Sequence, residues 1–222
     1  MRLEFIEATT ISDSWFLCLN KIFEVGRTYR IDRGSFAGQQ RLEFDYITIH
    51  IKYPNTRPLL PECPISSGIP NPASNEYLEE YLPYLMTSVK KPNELYSYGI
   101  DLEPQIKEVI KMLRKSPNIN QACMTVGNAD SIKLADPQCL KVIDCRVSDG
   151  KLHFVIYIRS NDLWGGYPVN IASIQILKEY MADEIGVEDG EIIYSSKGLH
   201  LYDHCWELAK KVIGKESIKN EK

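Results

Sequence analysis

The stretch Leu140-Lys141-Val142-Ile143-Asp144-Cys145-Arg146-Val147-Ser148-Asp149-Gly150-Lys151-Leu152-His153-Phe154-Val155-Ile156-Tyr157-Ile158-Arg159 reads as two β-strands closed by a tight turn. Asp149-Gly150 supplies the positive φ angles that a two-residue turn requires, so the segments 140–147 and 152–159 run antiparallel. In the second strand Leu152, Phe154, Ile156 and Ile158 share one face, and His153, Val155, Tyr157 and Arg159 share the other. Both faces are largely apolar, which places this strand in the interior of a sheet.

Outward from the hairpin, helical and extended segments are interspersed. Downstream, 170–185 reads as a helix, with Ile171, Ile174, Lys178, Met181 and Ile185 near one stripe, Asn170 near its cap and Gly186 as its stop. A strand follows at 190–196. Asp203 is placed to cap a last helix carrying Trp206, Ala209 and Ile213, ended by Gly214, and the polar segment 215–222 reads as a frayed tail.

Upstream, 12–25 has Trp15, Cys18, Leu19, Ile22 and Phe23 on one helical face. The segment 27–38, with three arginines and two glycines, reads as a loop, and 41–52 as one strand ending before Pro54. The Pro- and Ser-rich segment 54–74 is irregular but anchored by Leu59, Leu60 and Ile65. A short helix over 75–88 carries Leu78, Tyr81, Leu82 and Leu85. A longer one over 102–115 has Pro104 in its first turn and Ile106, Val109, Ile110 and Leu113 at helical spacing. Interspersed elements around an antiparallel hairpin make an α+β fold. The expectation is one domain over 1–222, with a mixed or largely antiparallel sheet flanked by helices.

The whole-chain numbers exclude several function classes. The 222 residues are 44% hydrophobic and 25% charged, which suits a globular domain with a substantial core. A net charge of −4 gives no basic field for DNA or RNA, so no nucleic-acid partner is expected. No apolar run reaches the roughly 18–20 residues of a membrane span, and the N-terminus lacks a signal-peptide core, so a cytoplasmic location is expected. The cysteines are Cys18, Cys63, Cys123, Cys139, Cys145 and Cys205. They form no Cys-x-x-Cys pair and no zinc spacing with histidine, so reduced thiols and no metal are expected.

Four clusters carry chemistry. Asp136-Pro137-Gln138-Cys139 puts a thiol at the start of the hairpin, and Arg159-Ser160-Asn161-Asp162 follows its end. Trp164-Gly165-Gly166-Tyr167-Pro168-Val169-Asn170 is a glycine-bearing loop opening a helix, and Leu199-His200-Leu201-Tyr202 closes a later strand. Each residue alone has an ordinary reading. A strand cysteine is by default a small buried hydrophobe, Asn170 could be only a cap, and His200 only a satisfied core histidine. The other five cysteines, His153 and His204 are read as structural.

Together, from Cys139 to Tyr202, these clusters resemble the thymidylate synthase family. That family carries a cysteine after Pro-x or Pro, then Arg-Ser-x-Asp, Gly-x-Pro-x-Asn-Ile-Ala-Ser and His-x-Tyr. Here the last three read Arg159-Ser160-Asn161-Asp162, Gly166-Tyr167-Pro168-Val169-Asn170-Ile171-Ala172-Ser173 and His200-Leu201-Tyr202. The resemblance implies reductive methylation of dUMP to dTMP. It implies that Cys139 adds to uracil C6, with Arg159 contacting both the thiolate and the nucleotide phosphate. It further implies Ser160 on the phosphate, Asn170 on uracil N3–H and O4, and His200 with Tyr202 on the sugar hydroxyl. Gly166 would leave room for the base or the co-substrate, and Asp162 would face the pterin of that co-substrate, 5,10-methylene-tetrahydrofolate or a methanopterin analogue. Asp32-Arg33-Gly34 is similar to the family's mobile loop, which makes Arg33 a second phosphate ligand. A homodimer packed sheet to sheet is likewise implied. Asn at 170, where related hydroxymethylases that accept dCMP carry Asp, favours uracil over cytosine.

The chain departs from the pattern in ways that resemble the short, divergent archaeal branch of the family. Leu140 follows the nucleophile where most members have a water-organising histidine. The segment Asn118-Ile119-Asn120-Gln121 replaces an arginine pair that reaches the partner's phosphate, with Arg30, Arg33, Arg114 and Lys115 as substitutes. Glu79, Glu80 and Glu94 are the candidates for a pterin-side glutamate. Two alternatives stay open at this level: a deoxypyrimidine nucleotide hydroxymethylase, and a catalytically impaired nucleotide-binding protein.

Overall fold

The computed structural model describes residues 1–32, 36–92 and 94–215, apart from the side chain of Ile65. In chain order the elements are β1 (Leu3–Ala8), α1 (Ile11–Val25), β2 (Arg27–Arg30), β3 (Gln40–Glu43), β4 (Tyr46–Ile51), α2 (Asn75–Met86), α3 (Tyr98–Lys115), β5 (Cys123–Thr125), β6 (Leu140–Ser148), β7 (Lys151–Ile158), the two-residue β8 (Asn161–Asp162), α4 (Gly166–Ile185), β9 (Glu188–Ser196), β10 (Leu199–Tyr202) and α5 (Trp206–Val212). Short 3₁₀ turns occupy Ile65–Ser67, Ala129–Lys133 and Asp203–Cys205.

The expected hairpin forms the centre of the molecule. Asp149 and Gly150 adopt φ of 51° and 73°, and β6 and β7 pair antiparallel on either side of them. The main sheet is mixed, in the order β1-β4-β9-β7-β6-β5, with β1–β4 and β7–β9 parallel and the other pairs antiparallel. A second sheet has the order β2-β3-β10-β8. An α+β fold with a mixed sheet flanked by helices is what the sequence led us to expect.

Three extended segments pass from one sheet into the other. β3 leads into β4 through Phe44-Asp45, β7 into β8 through Arg159-Ser160, and β9 into β10 through Lys197-Gly198. The single strand read over 41–52 is therefore two strands in two sheets. Asp45 fixes that break by accepting from Arg2 N–H at 2.7 Å and pairing with Arg27 Nε at 2.9 Å. The segment read as a loop begins with β2, whose four residues are all exposed and so carry no apolar alternation to read. At the β9–β10 junction a Cβ on Gly198 would lie 2.8 Å from Arg159 O, so only glycine lets the two chain crossings come this close.

One face of the main sheet is covered by α1, α3 and α4, and Ile47, Ile49, Phe154, Ile156, Ile192 and Tyr194 are buried beneath them. α4 is buried nearly all round, including Tyr167, Val169, Ile171, Ile174, Leu177 and Met181, rather than along one stripe. It begins at Gly166, so Asn170 lies inside its second turn and is not its cap. α3 likewise begins earlier than the sequence suggested, at Tyr98, which leaves Pro104 in its second turn. Asp203 accepts from Gln40 N–H at 2.8 Å instead of capping α5. Among the described residues, no helix covers the other face of the sheet. It presents Phe5, Val155 and Ile193, 63%, 41% and 37% exposed, beside half-buried Tyr46, His50 and Tyr157.

Candidate active site

The site is built where the strands cross between sheets. Arg159 N–H donates to Cys139 O at 2.8 Å, one rung beyond the last paired residues of the hairpin, Leu140 and Ile158. A β-bulge makes this rung useful. Along β6 the buried residues are Val147, Cys145 and Ile143, opposite Leu152, Phe154 and Ile156. Unbroken alternation would next put residues 141 and 139 into the core. The register shifts between Leu140 and Val142, so Leu140 takes the core position opposite Ile158 and Cys139 turns to the other side.

Cys139 is half-buried, and Arg159 holds the chain around it. Its Nε donates to Gln138 O at 3.2 Å, one terminal nitrogen pairs with Asp136 Oδ1 at 3.1 Å, and the same nitrogen also reaches Pro137 O. The second terminal nitrogen, Nη1, has no partner among the described residues. Burial pushes the Cys139 thiol above its ordinary pKa; Arg159 pulls it back and Asp136 adds to the rise. The thiolate is therefore the minority form near neutrality, and the Asp136 carboxylate is part of the reason.

All the predicted residues except Arg33 line one cleft of about 540 Å³: Cys139, Arg159, Ser160, Asp162, Gly166, Asn170, His200 and Tyr202. Arg33 lies outside the described residues. Asp162 accepts from the backbone N–H groups of Trp164, Gly165 and Gly166 at 3.2, 3.1 and 3.3 Å, so it fixes the start of α4 as well as lining the cleft. Gly166 was expected to leave room for a ligand. Instead, a Cβ there would lie 3.0 Å from Asn161 Oδ1 and 3.3 Å from Asp162 Cβ, so the missing side chain makes room for protein.

Asn170 is held on three sides. Its Nδ2 donates to Gly166 O at 2.7 Å and to Asn161 Oδ1 at 3.1 Å, while its Oδ1 accepts from Tyr81 Oη–H at 2.6 Å. Gly166 O can only accept, which fixes the nitrogen on that side. In this arrangement the amide turns its oxygen toward Tyr81 and both N–H groups toward protein acceptors.

His200 is buried. Its Nδ1 lies 2.8 Å from Gly198 O, which can only accept, so Nδ1 carries the proton. Burial holds the imidazole below its ordinary pKa, so the ring is neutral. Its Nε2 is then an acceptor, buried and without a partner among the described residues. Tyr202 packs edge-on against it at 4.7 Å and stacks on Phe36 at 4.4 Å.

The opposite wall is aromatic and was missed in the sequence. Tyr77, Tyr81 and Tyr84 of α2 line the cleft with Tyr98 of α3, in a chain of ring contacts 6.4, 5.3 and 5.0 Å apart. The signal was present as tyrosines at i, i+4 and i+7 on one helix, of which only Tyr81 was picked out, beside the leucines of that helix. Lys91 also lines the cleft, as do Glu80 and Glu94, whereas Glu79 does not. Of the proposed replacement cations, Arg114 is committed to Glu184 at 2.9 Å. Cys18, Cys63, Cys145 and Cys205 are buried as expected, but Cys123 is exposed; all six cysteines are unpaired. Among the described residues no helix is long and apolar enough to cross a membrane, and no group of three His, Cys, Asp or Glu could hold a metal ion.

Comparison with known proteins agrees with this geometry. The family model for thymidylate synthase matches residues 85–221. Relatives from Methanosarcina barkeri and Methanosarcina acetivorans, both provisionally named thymidylate synthase, are 31% and 32% identical over 217 residues, 94% of each chain. The thymidylate synthase of Listeria monocytogenes is 34% identical over 112 residues, 50% of this chain and 36% of its own. With its thiol, guanidinium and amide drawn into one cleft and 94% of its length matched by such relatives, this chain belongs to the thymidylate synthase family.

Proposed function

We propose that this protein converts dUMP to dTMP through addition of the Cys139 thiolate to C6 of the uracil ring. The observation that carries the reading is the rung between Cys139 and Arg159, a thiol and a guanidinium on adjoining strand ends at the wall of one cleft. The sulfur lone pair forms the C6–S bond, and the C5–C6 π pair moves to C5 and O4 as an enolate. C5 is thereby made nucleophilic toward a one-carbon donor. Once the one-carbon unit is bonded to C5, C5 gives up its proton, and hydride delivery from the co-substrate to the transferred carbon expels the Cys139 thiolate and restores the C5–C6 double bond.

The remaining residues hold the nucleotide. Arg159 keeps Nη1 for a phosphate oxygen, and Ser160 adds a hydroxyl. His200 Nε2 accepts from the sugar hydroxyl beside Tyr202, and Asn170 Oδ1 accepts from uracil N3–H. Arg33 belongs to the same proposal as a second phosphate ligand.

The co-substrate, methylene-tetrahydrofolate or its methanopterin analogue, supplies the one-carbon unit and the hydride. A cleft lined by a tyrosine wall together with Asp162 and Gly166 has the flat, partly polar lining that a pterin ring needs. A homodimer goes with this reading, formed through the uncovered sheet face that carries Phe5, Val155 and Ile193. So does a cytoplasmic location.

Leu140 is a fully buried core residue, so no imidazole next to Cys139 organises water here. A hydroxymethylase that ends its cycle with water is therefore the rival reading. Release of tritium from [5-³H]dUMP, measured in parallel with methylene-tetrahydrofolate and methylene-tetrahydromethanopterin, tests the assignment. The expected result is release with one of these donors, with dTMP and the dihydropterin formed in equal amounts. A hydroxymethyl nucleotide without dihydropterin would overturn it, as would dUMP binding without any release.

A further inference from the structure

The geometry points to Phe36 as the positioning residue that holds Tyr202 for the sugar hydroxyl of the nucleotide, an inference resting on the nucleotide reading above. Tyr202 is the last residue of β10 and lines the cleft. Its hydroxyl has no partner among the described residues, so contacts to the ring must set where that hydroxyl stands. His200 meets the ring edge-on at 4.7 Å, and Phe36 stacks on it at 4.4 Å with the two planes 28° apart. His204 completes the stack, 5.7 Å from each of those two rings and tilted 19° from Phe36 and 12° from Tyr202. Phe36 does not line the cleft, so it acts on a ligand only through Tyr202.

The turn between β2 and β3 is built to deliver Phe36 to that place. Gly38 N–H donates to Ile31 O at 2.8 Å and Ile31 N–H to Gln39 O at 2.9 Å, which closes the turn over a buried Ile31. Gln40 N–H donates to Asp203 Oδ2 at 2.8 Å, and Gln39 Oε1 lies 3.2 Å from His204 Nδ1, so the turn is tied to the residues that follow β10. dUMP carries one free sugar hydroxyl, at C3′. The neutral His200 ring offers Nε2 as an acceptor for its proton. Burial raises the Tyr202 phenol above its ordinary pKa, so Tyr202 keeps a proton to donate to the hydroxyl oxygen. One hydroxyl is then matched as donor and as acceptor, provided that Tyr202 stays beside His200. An aromatic stack adds to what burial of its area gives. A phenol held in place also loses less freedom on binding than one that swings.

The test is equilibrium binding of dUMP and of 2′,3′-dideoxy-UMP, which lacks that hydroxyl, to the wild type, Phe36→Leu and Phe36→Tyr. Leucine keeps apolar bulk and removes the ring, whereas tyrosine keeps the ring, and melting temperatures report whether each variant retains the fold. The wild type should prefer dUMP by roughly 3- to 10-fold, the worth of one neutral hydrogen bond. Phe36→Leu should weaken dUMP by about 2- to 10-fold and leave the dideoxy nucleotide unchanged, so the preference shrinks. Phe36→Tyr should restore it. Equal weakening of both nucleotides by Phe36→Leu, or of neither, would overturn this role for Phe36 and leave the nucleotide reading standing. Equal wild-type affinities for the two would take Tyr202 off the sugar hydroxyl and overturn the inference in the same way. A wild-type protein that does not bind dUMP would sink the nucleotide reading itself.

Discussion

The backbone N–H of Arg159 donates to the carbonyl of Cys139 at 2.8 Å, and the Arg159 guanidinium then turns back onto Asp136, Pro137 and Gln138, the residues leading into that cysteine. One arginine thus acts on the thiol twice. Its backbone sets where the sulfur stands, and its charge opposes the rise in thiol pKa that burial imposes.

Because Asp136 raises the thiol pKa and also occupies the guanidinium, Asp136→Asn should lower it. The reactive form is the thiolate, so wild-type alkylation by iodoacetamide should climb through the alkaline range. In Asp136→Asn the same rise should begin at lower pH, giving faster modification of Cys139 near neutrality. Peptide mapping identifies the modified sulfur, since Cys123 is also exposed. Curves that superimpose would mean that Asp136 does not control the thiol.

The loop between β8 and α4 depends on a distant helix. Trp15 of α1 donates from Nε1 to Leu163 O at 2.8 Å and Trp164 O at 3.2 Å, while its ring lies 5.4 Å from that of Trp164. Trp15→Phe leaves those carbonyls without the donor and should cost about 1–3 kcal/mol. Urea unfolding monitored by circular dichroism measures this. A loss below a few tenths of a kcal/mol would show that the loop is held by other contacts.

Lys178 is a cation in the protein interior. Its side chain is fully buried on α4, reaches Gly190 O and Glu191 O at the start of β9, and lies 3.5 Å from Asp189. Burial lowers its pKa from the ordinary 10.5 to about 8, with Asp189 opposing the fall. Between those values the unfolded chain holds the proton and the folded chain releases it. Stability from this group is therefore complete above the unfolded pKa and is lost as pH falls through about 8. The difference in unfolding free energy between wild type and Lys178→Met should grow by on the order of a few kcal/mol from pH 7 to pH 10. A difference that stays flat with pH would contradict a buried, weakly basic lysine.

The uncovered sheet face predicts the assembly. Val155 and Ile193 lie side by side on β7 and β9, paired in register, and each points away from the helices. Placing Lys at 155 and Glu at 193 would put two charges into the centre of a sheet-to-sheet interface, where desolvation costs several kcal/mol. Sedimentation should then show a dimer for the wild type and a monomer for the double variant at micromolar concentration. A monomeric wild type would remove the dimer from the account.

What could be read in the sequence followed from how each signal is written. The hairpin was legible because Asp149-Gly150 states its turn chemistry in two adjacent residues. α4 was legible as a helix, but not as a helix buried on every side, because the sequence shows which residues are apolar and not how many neighbours surround them. The bulge that turns Cys139 out of the core involves no unusual residue at Lys141 and is visible only as a shift in pairing. The break at Phe44-Asp45 was hidden because both halves favour extended chain. Cys139, Arg159, Asn170 and His200 could be named from their order along the chain. That Asn170 turns both N–H groups to protein acceptors, and that Tyr81 sits on its oxygen, depends on α2 packing over α4, which local pattern does not report.

The central claim is that one sulfur bonds to C6 of the base. 5-Fluoro-dUMP tests it most directly, because the C5 fluorine cannot leave as the C5 proton does, so the adduct formed in the presence of the one-carbon donor persists. Incubation with analogue and donor, followed by denaturation and peptide mass spectrometry, should place one nucleotide-bearing adduct on the peptide containing Cys139. An adduct on any other cysteine would contradict the account, as would formation of dTMP from dUMP by a Cys139→Ser variant at the wild-type rate.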